Sequence, residues 1–93
     1  MAAYRVQLYG LPNDLASLRQ VELQLEGGVT LGDVVAALRR NIPALEGRVI
    51  RSGENKLASH YVFNVNGRFH VDEYDTQVRP DDRILIVTFA LGG

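Results

Sequence analysis

The sequence predicts an α+β domain in which one main helix packs on a mixed sheet of four to five strands. One segment, residues 31–41, carries apolar residues at helical spacing. Several shorter segments alternate in polarity or are rich in β-branched residues, as strands are. The most hydrophobic of them, residues 83–89, is the last, and we expect this C-terminal strand to be central in the sheet. Ninety-three residues suffice for one such domain with a modest core.

The first two strands are predicted to form an antiparallel hairpin. Residues 4–9 alternate polar and apolar, so every second side chain from Tyr4 should face the core. The segment 10–14, Gly-Leu-Pro-Asn-Asp, favours turns and ends this strand. Residues 19–26 alternate again, with Leu23 in the middle of the apolar face. Because the connection is short, the two strands are expected to pair antiparallel.

The single helix is predicted over residues 31–41. Thr30 is a suitable N-cap because its hydroxyl can accept a hydrogen bond from the backbone N–H of Asp33, whose carboxylate also favours the positive helix end. Two arginines stand in the last turn, where positive charge is favoured. Pro43 discourages continuation of the helix through the preceding residue. The apolar stripe of the helix consists of Leu31, Val34, Val35, Leu38 and Ile42.

The segment between the helix and the next strand has no clear periodicity. Residues 43–59 are long for a connection in a small domain, so part of the segment is expected to pair or to be mobile. Residues 61–65 then predict a strand, and residues 68–71 a short returning strand. Asn66-Gly67 between them is a strong signal for a tight hairpin, because both residues accept positive φ.

The last strand is predicted over residues 83–89. A polar, turn-rich stretch ending in Pro80-Asp81-Asp82 precedes it. The strand itself is a continuous β-branched and apolar run, which predicts burial on both faces. We therefore expect one folded domain over residues 1–89, followed by a flexible C-terminal tail of residues 90–93 that ends in Gly-Gly.

Composition argues against several classes of function. The net charge is -1, whereas nucleic-acid binders usually carry a basic face that neutralises phosphates, so no nucleic-acid partner is expected. The sequence has no cysteine, which excludes disulfides and thiolate sites. The longest nearly apolar run, residues 84–91, is far shorter than the ~20 residues that cross a bilayer. The first residues lack the core of a signal peptide. We expect a cytoplasmic protein without a membrane partner.

The residue types that usually catalyse or bind metals form no recognisable site. His60 and His70 are the only histidines, and no spaced ligand completes a metal site, so surface or half-buried imidazoles are expected. The acidic stretch within residues 72–82 lacks the spacing and glycine of a calcium-binding loop, so a solvated loop is the better interpretation. Phosphate-binding loops and nucleophile elbows are also missing from the sequence. We expect no bound metal, no bound cofactor and no catalytic residue, so the chain is predicted to be a co-substrate rather than an enzyme.

Gly92 and Gly93 end the sequence directly after its most hydrophobic segment. With nine glycines in 93 residues, such a pair arises by chance about once in a hundred sequences, so it is a weak signal alone. Without Cβ atoms, two glycines can thread a narrow channel and adopt backbone angles closed to other residues. A frayed apolar tail that ends in two glycines by chance is the alternative. The pair gains its weight from the strands and helix that precede it.

Several motifs that follow one another along the chain point to a known family. They are Thr30-Leu31-Gly32-Asp33, Phe63-Asn64-Val65-Asn66-Gly67-Arg68, Asp75-Thr76, Pro80-Asp81-Asp82-Arg83-Ile84 and Gly92-Gly93. In this order they resemble the ubiquitin-like, or β-grasp, proteins. More narrowly they resemble the ThiS/MoaD-like sulfur carriers, which include the small subunit of molybdopterin synthase and the thiazole-synthesis carrier. The resemblance covers most of the chain from about residue 28.

The resemblance implies a chemistry for the tail. A separate activating enzyme, using ATP and Mg, would adenylate the carboxyl group of Gly93, and a sulfur nucleophile would then displace AMP and leave a thiocarboxylate. Gly92, which has no side chain, would let the nucleotide approach the tail closely. Leu91, next to Ala90, would be the last side chain bound by a partner. The second implied partner is a sulfur-acceptor synthase or large subunit. The long segment 48–59 resembles carriers that supply sulfur for cysteine synthesis, or the longer molybdopterin members, more than the short thiazole carriers. A molybdopterin-type acceptor is the first choice, followed by cysteine or thiazole synthesis.

A partner of this kind must also hold the folded domain. We expect the outer side of the sheet near the tail to be the docking face. Aromatic side chains are enriched in protein interfaces. The aromatic candidates are Tyr61, Phe63, Phe69 and Phe89. Core packing is the alternative for each of them, because strand alternation alone does not tell which face each residue takes.

Two other functions stay open from the sequence. A ubiquitin-like modifier would be joined through Gly93 to lysines of other proteins, with the same chemistry up to the adenylate. Lys56 is the only lysine, so polymeric chains would have to run through Lys56 or the N-terminus. A non-reactive β-grasp interaction module is the third possibility, and its function would not depend on Gly92 and Gly93.

Overall fold

The computed structural model describes residues 1–88 of the chain. Five of the strands form one sheet and two short strands form a separate pair. The elements are β1 (Ala2–Leu8), β2 (Gln20–Leu25), β3 (Val29–Thr30), α1 (Leu31–Asn41), β4 (Tyr61–Val65), β5 (Arg68–His70), β6 (Gln77–Val78) and β7 (Ile84–Thr88). Short 3-10 helices occupy Asn13–Leu15 and Pro43–Leu45.

The five-stranded sheet has the order β2-β1-β7-β4-β5. The last strand, β7, lies at its centre, parallel to β1 and antiparallel to β4. The two hairpins, β1 with β2 and β4 with β5, are antiparallel and flank it. This arrangement confirms the predicted mixed sheet, the single main helix and the central position of the C-terminal strand.

The first hairpin follows the predicted alternation. Tyr4, Val6 and Leu8 are buried, and Tyr4 pairs with Leu23 across the hairpin. Burial of such a set on one face fixes the register, because a slip by one residue would turn every apolar side chain to the other face. The hairpin therefore presents one apolar face to the core and one polar face outward.

The helix has the predicted bounds and the predicted cap. The Thr30 hydroxyl accepts a hydrogen bond from the Asp33 backbone N–H at 3.2 Å, and the Thr30 backbone N–H donates to the Asp33 carboxylate at 3.0 Å. This reciprocal pair satisfies two backbone donors that the first turn would otherwise leave unpaired. The buried positions of the helix are Leu31, Val34, Val35, Ala37 and Leu38.

The segment after the helix is packed into the domain. Leu45, Val49, Ile50 and Leu57 are buried in the core. Backbone bonds close the segment on itself, including a bond from the Ala58 N–H to the Val49 carbonyl at 2.8 Å. Residues 43–59 therefore pair locally, which is one of the two expected outcomes. Their apolar residues contribute to the core without helical or strand periodicity.

Several details differ from the sequence prediction. The strand pair β3 and β6 was not predicted, because two residues are too few to show a period. β1 begins two residues earlier than expected, at Ala2. Burial of β7 on both faces is wrong: Ile84 and Ile86 are buried, whereas Leu85 and Val87 are half-buried. One helix covers one face of the sheet, so part of the other face stays accessible.

Within residues 1–88, no helix is both long and apolar enough to cross a bilayer.

Replacing Leu38 with alanine tests the packing of the helix on the sheet. Leu38 is fully buried, so Leu38→Ala should lower the free energy of unfolding by ~2–5 kcal/mol, measured by urea denaturation. Arg40 lies on the exposed side of the same helix, and Arg40→Ala should change it by less than ~0.5 kcal/mol. Equal effects of the two variants would contradict the assigned helix face.

Candidate functional site

The predicted reactive tail follows β7, so the site is built around this strand. Gly93, Gly92, Leu91, Ala90 and the aromatic candidate Phe89 lie outside the described residues, and their roles stay predictions. The described part of the site consists of the surroundings of β7, from its first residue, Ile84, to its last, Thr88. Two sets of contacts, one at each end, hold the strand.

The start of β7 is bonded to the turn of the β4–β5 hairpin. Asn66 donates from its backbone N–H to the Arg83 carbonyl at 2.9 Å and accepts the Arg83 N–H on its side-chain oxygen at 2.8 Å. Its side-chain amide also donates to Asp82 at 2.9 Å, and Asp82 in turn accepts the Arg79 N–H at 2.8 Å. Asn66 adopts a φ of 54°, which suits asparagine in a tight turn. One residue thus joins the hairpin turn to the beginning of β7.

The end of β7 is held between Gly10 and Tyr61. Tyr61 pairs with Thr88 in the sheet, and its hydroxyl donates to the Gly10 carbonyl at 2.9 Å. Gly10 has a φ of 71°, and a Cβ there would lie 2.4 Å from the Thr88 Cγ2. Only glycine fits this approach without displacing Thr88. Sequence analysis identified Gly10 as a turn residue but not as a contact of β7.

An exposed ion pair lies beside this end of the strand. The Arg48 guanidinium donates to both carboxylate oxygens of Asp14, at 2.5 and 2.8 Å. This hydrogen-bonded pairing holds the pKa of the Asp14 carboxyl below its usual value. Burial raises the pKa of the Tyr61 phenol, and the positive charge of Arg48 partly opposes that shift. The pair connects the loop after β1 with the segment after the helix.

The face of the sheet opposite the helix carries an apolar patch. Leu85 and Val87 are half-buried and do not belong to the core. Leu85 pairs with Asn64, which also pairs with Phe69, so these residues share the outer face. We call Phe69, Leu85 and Val87 the outer-face patch. Val62 pairs with Val87 and so shares this face, but it is only 3% exposed.

The structure separates the aromatic docking candidates. Phe69 is 57% exposed and belongs to the outer-face patch, whereas Phe63 is 1% and Tyr61 6% exposed. Phe63 pairs with Ile86 and Tyr61 with Thr88, so both lie on the helix side of β4. As surface candidates, Phe63 and Tyr61 are therefore corrected to core residues. β4 is buried at all five positions, so its sequence showed no alternation that could have separated them.

The histidines and acidic residues form no second site in the described part of the chain. His60 is exposed, and the half-buried His70 lies 2.7 Å from a Glu73 carboxylate oxygen, in agreement with the sequence interpretation. Among residues 1–88, no group of three or more histidine or carboxylate side chains is arranged to hold a metal ion.

Comparison with known proteins gives a family and a fold. The model of the ThiS family matches residues 6–93. A search of curated proteins gives no significant match. Small archaeal modifier protein 1 from Haloferax volcanii superposes with a TM-score of 0.78 at 25% identity, covering 99% of this chain and 100% of that one.

Two further solved structures share the fold. The small archaeal modifier protein 1 from Methanosarcina acetivorans has a TM-score of 0.74 at 24% identity, covering 100% of this chain and 98% of that one. A putative molybdopterin converting factor subunit 1 from Pyrococcus furiosus has a TM-score of 0.68 at 15% identity, with coverage of 95% and 98%. These similarities confirm the β-grasp fold that the sequence predicted.

Replacing Gly10 with alanine tests the contact at the end of β7. Gly53 has a similar φ of 73° but no atom within 4 Å of an added Cβ, so Gly53→Ala reports the backbone penalty alone. Gly10→Ala should cost ~1–3 kcal/mol more than Gly53→Ala in the free energy of unfolding, because the added methyl overpacks against Thr88. If both variants lost the same stability, the close approach of Gly10 to Thr88 would be wrong.

Proposed function

Because the chain belongs to the ThiS family, we propose that it is a sulfur carrier whose C-terminal Gly93 is adenylated and then converted to a thiocarboxylate. The observation that carries the proposal is the family match, which extends to residue 93. The position of β7 supports it, because a strand bonded on both sides is a firm base for a tail. The chain acts as a co-substrate of the enzymes it meets.

The proposed chemistry divides into two displacements. An oxygen of the Gly93 carboxylate attacks the α-phosphorus of ATP, and pyrophosphate leaves. The acyl-adenylate is a good electrophile, which the free carboxylate is not. Sulfide (HS⁻), released by the sulfur donor, then attacks the carbonyl carbon, AMP leaves with its bonding electron pair, and loss of the sulfur-bound proton leaves a terminal thiocarboxylate. The activating enzyme binds ATP and Mg and supplies the catalytic groups. This chain supplies the C-terminal carboxylate and the surface that the enzyme binds.

The outer-face patch is the proposed docking surface for the activating enzyme. Phe69 is the most exposed apolar residue of the sheet in the described part of the chain, and aromatic residues near the centre of an interface often dominate its binding energy. The patch includes two residues of β7 itself, Leu85 and Val87. A partner that covers it is therefore in contact with the strand that leads to the tail. The sulfur acceptor to test first is a molybdopterin-type synthase, followed by enzymes of cysteine and thiazole synthesis.

A ubiquitin-like modifier is the second candidate function. The observation that favours it is the structural similarity, at 25% identity, to a protein named as a modifier. Activation of Gly93 is common to both candidates. They differ in the group that becomes bonded to the Gly93 carbonyl carbon, which is sulfur in the carrier and a lysine amine in the modifier. Lys56, the only lysine, is exposed, so this chain offers one side-chain amine for polymer formation.

The mass of the protein after activation tests the carrier function. With its activating enzyme, ATP and a sulfur donor, the intact mass should show one oxygen replaced by sulfur at Gly93. A variant that lacks Gly93 should keep its thermal stability and show no replacement. Unchanged mass of the full-length protein under conditions that consume ATP would overturn the carrier proposal. Gly-Gly remnants on lysines of other proteins would establish the modifier function instead.

Replacing Phe69 with glutamate tests the docking surface. Phe69→Glu places a charge in the outer-face patch and should weaken binding to the activating enzyme at least about tenfold, by analogy with interface residues whose truncation costs ~2 kcal/mol. Asn55→Glu adds the same charge at an exposed position of the segment after the helix and should leave the affinity unchanged. Both affinities can be measured by calorimetry. Equal affinities of the two variants would exclude the outer-face patch as the docking surface.

A further inference from the structure

The strand β2 forms an open edge of the sheet. It has six residues and, apart from the single charge of Glu22, none of the features that usually protect edge strands, such as lysine, proline or a bulge. The opposite edge, β5, has only three residues, and Asp72 with a φ of 55° soon ends that extended segment. A short edge offers little to a pairing strand. β2 is therefore the longer edge available in the described part of the chain.

Backbone bonds show which groups of β2 are free. The Leu8 N–H donates to the Arg19 carbonyl at 2.8 Å, and bonded pairs alternate in an antiparallel ladder. The bonds to β1 therefore involve Val21, Leu23 and Leu25. The N–H of the next residue, Tyr9, donates to Ile86 of β7, so successive backbone N–H groups at this end of β1 point to opposite neighbours. The other residues of β2 are Gln20, Glu22 and Gln24. Their backbone N–H and C=O groups point away from β1, along the open edge of the sheet.

The side chains along this edge form a self-complementary sequence. Positions 20, 22, 24 and 26 carry glutamine, glutamate, glutamine and glutamate. When two antiparallel copies pair with Leu23 opposite Leu23, each glutamine lies opposite a glutamate. Gln20 faces Glu26 of the other copy, and Glu22 faces Gln24. Amide N–H groups donate to carboxylate oxygens, as the Gln24 amide does to Glu22 at 3.2 Å within one chain, and in the dimer they can do so at all four cross-strand positions.

The same register also covers apolar surface. Val21 and Leu25 are half-buried at the edge, on the face that packs against the core. Pairing around Leu23 places Val21 opposite Leu25 of the other copy, where aliphatic cross-strand neighbours favour association. The neighbouring registers are worse. A register centred on Glu22 places the two Glu22 residues opposite each other, and one centred on Gln24 places Glu22 opposite Glu26. Like charges directly opposite one another are destabilising.

We propose that a second copy of this chain pairs with the free edge of β2, in the two-fold register centred on Leu23, to form a continuous sheet across the dimer. Closed two-fold association is the commonest form of homo-oligomer. The two-fold axis stands perpendicular to the sheet, so both helices lie on one side and both outer faces on the other. The outer-face patch lies on β7 and β5, beyond β1, and stays uncovered in the dimer. A strand pair buries little surface, so the dimer is weak and forms at high concentration.

Sedimentation equilibrium of the full-length chain, from about 10 µM to about 1 mM, tests this dimer. Gln24→Glu places a carboxylate opposite Glu22 of the other copy, at two symmetric positions. This repulsion should raise the dimer Kd about 2- to 30-fold. The double variant Glu22→Gln with Gln24→Glu has the net charge of the original chain and again places an amide opposite each carboxylate. It should restore the original Kd. Asn55→Glu, which adds one charge far along the chain in an exposed segment, should leave the Kd unchanged.

The location of the contact has an independent readout. In the dimer, the outward backbone N–H groups of Glu22 and Gln24 become hydrogen-bonded, so their exchange with solvent should slow as protein concentration rises. A chain that stays monomeric at about 1 mM would overturn the proposal. A dimer whose Kd is equal for Gln24→Glu and Asn55→Glu, or whose Kd the double variant fails to restore, would also overturn it.

Discussion

The central strand β7 has hydrogen-bonded neighbours on both sides, and the rest of the domain depends on that arrangement. β1 runs parallel to it and β4 antiparallel, so β7 cannot leave the sheet without breaking two ladders. Asn66 bonds its beginning to the β4–β5 turn. Gly10 and Tyr61 enclose its end at Thr88. The strand that precedes the predicted reactive tail is thus fixed at both ends and along both sides.

A second constraint is that one helix covers only one face of a five-stranded sheet. The buried face takes Ile84 and Ile86 of β7, while the outer face keeps Leu85 and Val87 half-buried beside the exposed Phe69. Grouped apolar surface of this kind is typical of a binding surface rather than of scattered exposure. The same open sheet leaves β2 as an edge. The proposed docking of an activating enzyme and the proposed pairing of two copies therefore use different parts of one sheet.

The features that sequence predicted well are local. The capping pair of Thr30 and Asp33 and the hairpin turn at Asn66-Gly67 are decided by residues within one turn of each other, and both have the predicted geometry. The central position of β7 followed from its continuous apolar run. Because one face is uncovered, the same run did not mean burial on both faces.

The features that sequence could not predict depend on distant contacts. β4 is buried at every position, so its pattern could not show that Phe63 faces the core. The contact of Gly10 with Thr88 and the packing of residues 43–59 join parts of the chain that no local period relates. The pairing of β3 with β6 also joins residues far apart in sequence. The reactive group itself was predicted from Gly92 and Gly93 and the family resemblance, and it lies outside the described residues.

A fixed support for the tail requires β7 to be as stable as the domain as a whole. Native-state hydrogen exchange of the amide protons of residues 84–88 measures this directly. We predict that these protons exchange only through global unfolding, with the same opening free energy as the most protected amides of β1 and β4. A clearly lower opening free energy for β7 alone would mean that the strand detaches locally. That result would contradict its role as the fixed support for the tail.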